Sequence, residues 1–378
     1  VKNNEKKKLL FTPGPLNIPF RVREAMLQEM GSRTKDFTKL ISEVENRLAL
    51  MTHPTTHEVI VSSGSATEML ERVMSNFIQA SETVLVIENG FYGRRLANLV
   101  ERLGYQSIVV SVEPFDTLTE EKILAAIPNQ SFDWVVMVHC ETSTGILNPV
   151  SEVLRGFYLR GCKVMLDCVS SFPVIEIPWD LVTVAVTTSG KCLQGPPGIP
   201  IAVVHSDLLK QGIGNTVSLT CDLFLHWQNV RTKGQWRYTP PIPLLLGLHE
   251  ALKIFDERGG PNDLGRNLQN LTSELIRLLA PLGLQLLNDP SHSMPGILTF
   301  KIPDFVEWEK IVEYLDEHGI VIYPGIVESI PSFRICLFGD LGLGDLSVLN
   351  LRMTEAFEKF SKSRAILGEG EWDSRSLS

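Results

Sequence analysis

Three short stretches of the chain place polar side chains where they could do chemistry. The first is Ser62-Ser63-Gly64-Ser65-Ala66-Thr67. It separates the apolar run Val59 to Val61 from Glu68 to Ile78, whose Met69, Leu70, Val73, Met74, Phe77 and Ile78 form one stripe of a helical repeat. Small residues and hydroxyls at a helix N-terminus offer free N–H groups and the positive end of the helix dipole, a setting that suits a phosphate as well as an ordinary cap. The stretch is not a Walker motif and lacks the three-glycine dinucleotide fingerprint. The second is Asp167, which ends the apolar run Lys163 to Leu166 and so stands at a strand end, where α/β proteins bind ligands. The third is Lys191, which follows Thr187-Thr188-Ser189-Gly190 and precedes the turn Gly195-Pro196-Pro197-Gly198. Few charges surround it, so its ammonium loses hydration, its pKa falls and a nucleophilic amine becomes available. Singly, each has a plain reading as a cap, a capping acid or a loop lysine. Together they are the three anchors of pyridoxal 5′-phosphate: a helix end for the phosphate, an acid that keeps the pyridine nitrogen protonated, and an amine that holds the aldehyde as a Schiff base and later moves a proton.

Elements able to position these anchors are visible in the hydropathy. Thr83 to Ile87, Trp134 to Val138, Lys163 to Leu166, Val182 to Val186 and Ile201 to Val204 are short apolar runs that alternate with helical patterns, the signature of a mainly parallel sheet covered by helices. After Pro240-Pro241-Ile242-Pro243 the texture changes to long helical stretches, Leu244 to Phe255 and Leu268 to Leu282. Strands over Gly296 to Phe300 and Gly319 to Tyr323 follow, with a helix over Phe305 to Glu317 between them. This predicts a second, smaller α/β unit, and Ser361 to Ser378 reads as a weakly patterned tail.

With 378 residues, 44% of them hydrophobic and 21% charged, the chain can bury a core and is far from the composition of disorder. A net charge of −9 disfavours nucleic acid and anionic membranes as partners, since both recruit basic surfaces. Cys140, Cys162, Cys168, Cys192, Cys221 and Cys336 are scattered, with no C-x-x-C pair or accompanying histidine cluster, and read as reduced thiols rather than metal ligands. Val1 to Lys8 lacks the apolar core of a secretory signal, and no apolar run reaches membrane-spanning length, so a cytoplasmic protein is expected.

The motifs resemble the class V branch of fold-type I pyridoxal-phosphate enzymes. The likeness runs through Phe11-Thr12-Pro13-Gly14-Pro15, Gly31-Ser32-Arg33, Gly64-Ser65-Ala66-Thr67 and His139-Cys140-Glu141-Thr142-Ser143-Thr144-Gly145. It continues through Gly190-Lys191-Cys192-Leu193-Gln194-Gly195, Gly234-Gln235-Trp236-Arg237-Tyr238-Thr239-Pro240-Pro241, Tyr323-Pro324-Gly325 and Ser332-Phe333-Arg334-Ile335. It implies an α/β fold with a large domain built on a mainly parallel seven-stranded sheet and a smaller C-terminal α/β domain. The expected division is an N-terminal arm at 1–20, a large cofactor-binding domain at 21–247, a small domain at 248–364 and a flexible tail at 365–378. It further implies Lys191 as the Schiff-base lysine, Asp167 as the partner of the ring nitrogen, and Ser65, Ala66 and Thr67 as phosphate ligands. Tyr92 is expected to stack on the ring, Thr144 to lie near the ring face or hydroxyl, Gln194 to assist nearby, and Thr239 to reach the phosphate from the neighbouring subunit of a homodimer. Arg334, between apolar neighbours, and Arg33 are the candidates for holding an anionic substrate group.

Within the branch the likeness is greatest to enzymes that move the amino group of 2-aminoethylphosphonate to pyruvate, giving phosphonoacetaldehyde and L-alanine. The alternatives are a class V aminotransferase of the alanine or serine to glyoxylate type, a pyridoxal-phosphate lyase using Cys336, and a non-enzymatic phosphate-binding protein. Two departures stand out. Gly190 precedes the lysine where the family generally has a polar side chain, and Glu68 follows the phosphate turn where an apolar or aromatic residue is usual.

Overall fold

The computed structural model describes residues 8–211, 214–328 and 330–361. The expected tail at 365–378 therefore lies outside the described residues. Seven strands form the large sheet: β1 (His57–Val61), β2 (Thr83–Glu88), β3 (Gln106–Ser111), β4 (Trp134–Val138), β5 (Lys163–Asp167), β6 (Val184–Thr188) and β7 (Pro200–His205). Their order across the sheet is β1-β7-β6-β5-β4-β2-β3. β7 alone runs antiparallel to its neighbours, β1 and β6; the other pairings are parallel. This is the mainly parallel seven-stranded sheet that the family likeness implied.

The inner strands β2, β4 and β5 are buried on both faces, which explains why they read as continuous apolar runs rather than alternating ones, whereas the edge strand β3 is largely exposed. On one face the helices Lys35–Ala49, Val150–Leu159 and Ile242–Glu257 cover Leu85, Val135, Val164 and Ile201. On the other, Ala66–Phe77 and Phe91–Arg102 cover Val84, Val136, Met165 and Val186. The run expected at Val182 to Val186 is displaced by two residues, because Trp179–Leu181 forms a 3-10 turn that Val182 closes, with its N–H donating to the Trp179 carbonyl.

The C-terminal unit has its own core around the strands Ile297–Lys301 and Ser332–Cys336 and the helices Trp308–Glu317 and Leu343–Phe360. The expected boundary at 247 and 248 falls inside the Ile242–Glu257 helix, whose Leu245, Leu248 and Leu252 pack with the large sheet. The first described residues belong to the C-terminal unit as well. Leu9–Leu10 pairs in parallel with Ile320–Val321, and the Cys336 N–H donates to the Phe11 carbonyl at 3.0 Å. Among the described residues no helix is long and apolar enough to cross a membrane.

Candidate active site

Five parallel strands end at one edge of the sheet, and the segments that follow them surround a cavity of about 510 Å³. Gly64, Ser65, Ala66 and Thr67 come from the segment after β1, Tyr92 and Arg95 from the helix after β2, and Cys140 and Thr142 from the loop after β4. Asp167 comes from the end of β5, and Thr188, Gly190 and Lys191 from the end of β6. This is the carboxyl edge of an open sheet, whose strand order switches direction between β2 and β4, the kind of edge where α/β proteins bind ligands.

Ser65 is the N-cap of the Ala66–Phe77 helix. Its Oγ accepts from the Glu68 N–H at 3.1 Å, and its own N–H donates to the Glu68 carboxylate, a complete capping box. The N–H groups of Ala66 and Thr67 belong to the first turn and have no partner within the helix. Both residues line the cavity, with the helix dipole behind them. Glu68 borders a neighbouring groove rather than the cavity, and its carboxylate is folded back onto the Ser65 N–H beside the anion cup.

Asp167 is buried, and its Oδ1 accepts from the Val169 N–H at 3.0 Å. Burial raises its pKa, while the Val169 N–H and the nearby Arg95 charge act in the opposite direction. Lys191 stands across the cavity, with its Nζ donating to the Pro13 carbonyl of the N-terminal turn. Burial lowers its pKa, which favours the free amine. Gly14 is tied to this contact: its φ of 142° is glycine's territory, and a Cβ there would stand 3.2 Å from Lys191 Nζ. Packing also explains the departure at Gly190, since a Cβ would meet Pro197 Cα at 3.0 Å.

Tyr92 borders the cavity, and the Arg95 guanidinium lies 4.6 Å from its ring centroid. The sequence reading passed over Arg95, although its i, i+3 spacing from Tyr92 on one helix was a usable signal. It also passed over Glu141. This fully buried carboxylate accepts from the N–H groups of Tyr92 at 3.1 Å, Gly93 at 3.0 Å and Ser143 at 3.1 Å, and from the Ser143 hydroxyl. It thus caps the helix that carries Tyr92 and fixes where that ring stands. Gly90 leaves room for it, since a Cβ would meet Glu141 Cγ at 2.6 Å. The Glu141→Gln variant would turn an amide N–H₂ toward donors that need an acceptor. A loss of about 2–4 kcal/mol of stability is expected, together with weaker retention of the cofactor, checked by thermal unfolding and by visible absorbance after dialysis.

The remaining candidates divide. Thr144 is buried but does not border the cavity; its hydroxyl donates to the Glu141 carbonyl at 3.2 Å and accepts from the Ile146 N–H at 3.2 Å, turning the loop. Thr142 takes the cavity position instead, in contact with the Ser170 hydroxyl. Gln194 points to the C-terminal unit, where its amide donates to the Gly339 carbonyl at 3.1 Å. Arg334 is buried, and its Nη1 donates to the Thr142 carbonyl at 3.0 Å, which ties it to the cavity wall. Its Nε is buried without a partner. Arg33 and Thr239 are exposed and lie outside this cavity; Arg33 donates to Gln235, four residues before Thr239. Cys336, the nucleophile of the lyase alternative, is fully buried within a strand, and burial pushes its pKa up to about 11. A thiol held in that state is not available as a mobile nucleophile.

The donor set fits pyridoxal 5′-phosphate. First-turn N–H groups and hydroxyls lie at one end of the cavity, a buried carboxylate and an amine of lowered pKa at its walls, and an aromatic ring beside them.

Comparison with known proteins agrees. The profile of the family described as Aminotransferase class-V matches residues 21–336. A 2-aminoethylphosphonate–pyruvate transaminase of Pseudomonas putida strain GB-1 is 33% identical over 345 residues, covering 88% of this chain and 92% of the relative. One of Burkholderia lata is 32% identical over 348 residues, covering 88% and 90%. Among solved structures, an alanine–glyoxylate aminotransferase of Nostoc sp. superposes with a TM-score of 0.85 at 25% identity, covering 94% of this chain and 97% of that one. An aspartate aminotransferase of Thermus thermophilus, at 22% identity and a TM-score of 0.82 over 93% and 99%, shares the fold. With a matching profile over most of its length and relatives 32–33% identical across nearly all of it, the chain belongs to the class V aminotransferase family.

Proposed function

We propose that this protein transfers the amino group of 2-aminoethylphosphonate, or a close aminophosphonate, to pyruvate, giving phosphonoacetaldehyde and L-alanine. The observation that carries the reading is one cavity bordered by Lys191, Asp167 and the Ser65–Thr67 helix end, with the buried Arg334 guanidinium bonded to its wall. The choice of donor draws its support from the relatives of Pseudomonas putida and Burkholderia lata, which match this chain almost end to end.

When bound, pyridoxal phosphate supplies an aldehyde carbon and an electron-accepting ring. Ser65, Ala66 and Thr67 would hold its phosphate, Asp167 its ring nitrogen and Lys191 its aldehyde carbon, with Tyr92 flanking the ring. Lys191 Nζ, once free, moves the proton that each half-reaction requires. The Pro13 carbonyl gives that amine a resting partner. Asp167 would set a negative charge against the ring nitrogen, with the Val169 N–H and Arg95 favouring its ionised form. Arg334 presents a planar fork suited to a carboxylate or phosphonate, and its unpartnered Nε is the donor a substrate anion would satisfy.

Arg33 and Thr239 enter through a second copy. The Gly31–Arg33 turn and the Gly234–Thr239 stretch are joined by Arg33 with Gln235 and by Thr38 with the Gly234 carbonyl at 3.1 Å. Tyr238 on that stretch and Leu219 outside it are both exposed, and the Tyr238 hydroxyl donates to the Leu219 carbonyl. A homodimer that covers these side chains would deliver Thr239 to the partner's phosphate. The large and small domains divide near 247, and the protein works in the cytoplasm.

The donor is tested by a single half-reaction. The yellow, cofactor-loaded protein is mixed with 2-aminoethylphosphonate, alanine or serine, and the loss of the visible band is followed. Bleaching by the phosphonate amine and by alanine, the product amine of the pyruvate half-reaction, with slow bleaching by serine, is the expected result; bleaching by alanine and serine with none by the phosphonate amine would move the protein to the glyoxylate-type branch. In the same assay Arg334→Lys keeps its visible band but raises the substrate KM by about tenfold to a hundredfold, because an ammonium replaces a bidentate fork.

A further inference from the structure

The anion cup carries a feature that its duty does not require. Position 68 is the third residue of the Ala66–Phe77 helix, and its carboxylate is folded back onto the Ser65 N–H. The fit is close: a Cβ at Gly64, where φ is 121°, would stand 2.5 Å from Glu68 Oε2. The Ser65 N–H holds the Glu68 pKa below the usual carboxylate range, so the group is charged at neutral pH. Arg72, the cation one turn further on, is committed elsewhere, its Nη1 donating to the Ser62 hydroxyl at 2.8 Å and the Ser63 carbonyl at 2.9 Å. Glu68 borders the outer groove and not the cavity, so a phosphate on the Ala66 and Thr67 N–H groups would leave the capping box intact.

We propose that Glu68 is a fixed like charge beside the cofactor's phosphate, held one peptide from the cup by its box with Ser65, and that it sets a looser grip on the cofactor than the cup's own donors would give. The carboxylate satisfies the helix end, and so stabilises the cofactor-free protein, while opposing the dianion the same helix end attracts. The two effects are separable, because glutamine completes a capping box as glutamate does but carries no charge.

This inference rests on the cup being the phosphate site, and the test separates the two. The dissociation constants of pyridoxal 5′-phosphate, of inorganic phosphate and of phosphate-free pyridoxal are measured on wild type, Glu68→Gln and Glu68→Ala, together with thermal unfolding of each without cofactor. Glu68→Gln is expected to unfold like wild type and to bind pyridoxal phosphate and inorganic phosphate about threefold to tenfold more tightly at low salt, a gain that shrinks as salt screens the charge. Pyridoxal binding should not change. Glu68→Ala should also bind the phosphates more tightly but unfold at a lower temperature. Equal or weaker phosphate binding by Glu68→Gln, or an equal gain for pyridoxal, overturns the proposed repulsion. Failure of inorganic phosphate and pyridoxal phosphate to bind any of the three proteins removes the cup assignment itself.

Discussion

Replacing Lys191 by alanine is expected to leave a folded protein whose turnover is lower by about 10⁴-fold or more, since one side chain both attaches the cofactor and moves the proton. Steady-state alanine formation from pyruvate measures the loss, and the lysine-bound visible band should be missing. The fold should survive, because Lys191 makes its polar contact at the Pro13 carbonyl and carries no ion pair. Its pH behaviour gives a second readout. Burial depresses the lysine pKa, so the native state resists protonation that the unfolded chain accepts freely. The group's contribution to stability is full at high pH and is lost as pH falls from the ordinary value of 10.5 through the folded one. Without cofactor, Lys191→Ala should therefore gain stability relative to wild type as pH drops across that window. Turnover near the wild-type level would show that another amine carries the chemistry.

For Asp167→Asn the expected outcome is opposite signs in activity and stability. The substitution keeps the shape and the contact with the Val169 N–H but removes the charge set against the ring nitrogen, and kcat should fall by about 10²–10³-fold. Stability moves the other way. Burial raises the Asp167 pKa, so its contribution is full below the ordinary 3.8 and is lost as pH rises through the folded value. At neutral pH the cofactor-free protein bears the cost of that buried charge, and the neutral amide relieves it. Denaturant unfolding of both proteins at pH 7 checks the second half; a variant as active as wild type would remove Asp167 from its assigned role. The site thus holds a group that catalysis needs and folding disfavours, a common signature of function.

The three anchors were legible because each is local: a hydroxyl-rich turn before an amphipathic helix, an acid ending an apolar run, and a lysine after another. Groups that act only through long-range topology were not. Glu141 reads as one residue of a loop until the sheet brings Tyr92 and Gly93 onto its carboxylate. At Thr142 and Thr144 the residue type was right, but the twist of the turn decides which hydroxyl faces the cavity, and two positions of sequence do not reveal it. Helix starts were missed by two residues in α-helical stretches such as Ala66–Phe77 because caps lie outside the apolar stripe. The pairing of Leu9–Leu10 with Ile320–Val321 spans most of the chain and leaves no local trace.

That same pairing has a consequence for biogenesis. The ribosome makes the strand at Leu9–Leu10 early, but the edge it joins emerges some three hundred residues later. Until then the turn that supplies Lys191 with its carbonyl neighbour lacks its strand partner and can rest only on the large domain. The catalytic pocket is in this sense closed by the last part of the polypeptide acting on the first. A nascent chain arrested before residue 320 would bear the lysine and the acid without the lid that seats the amine.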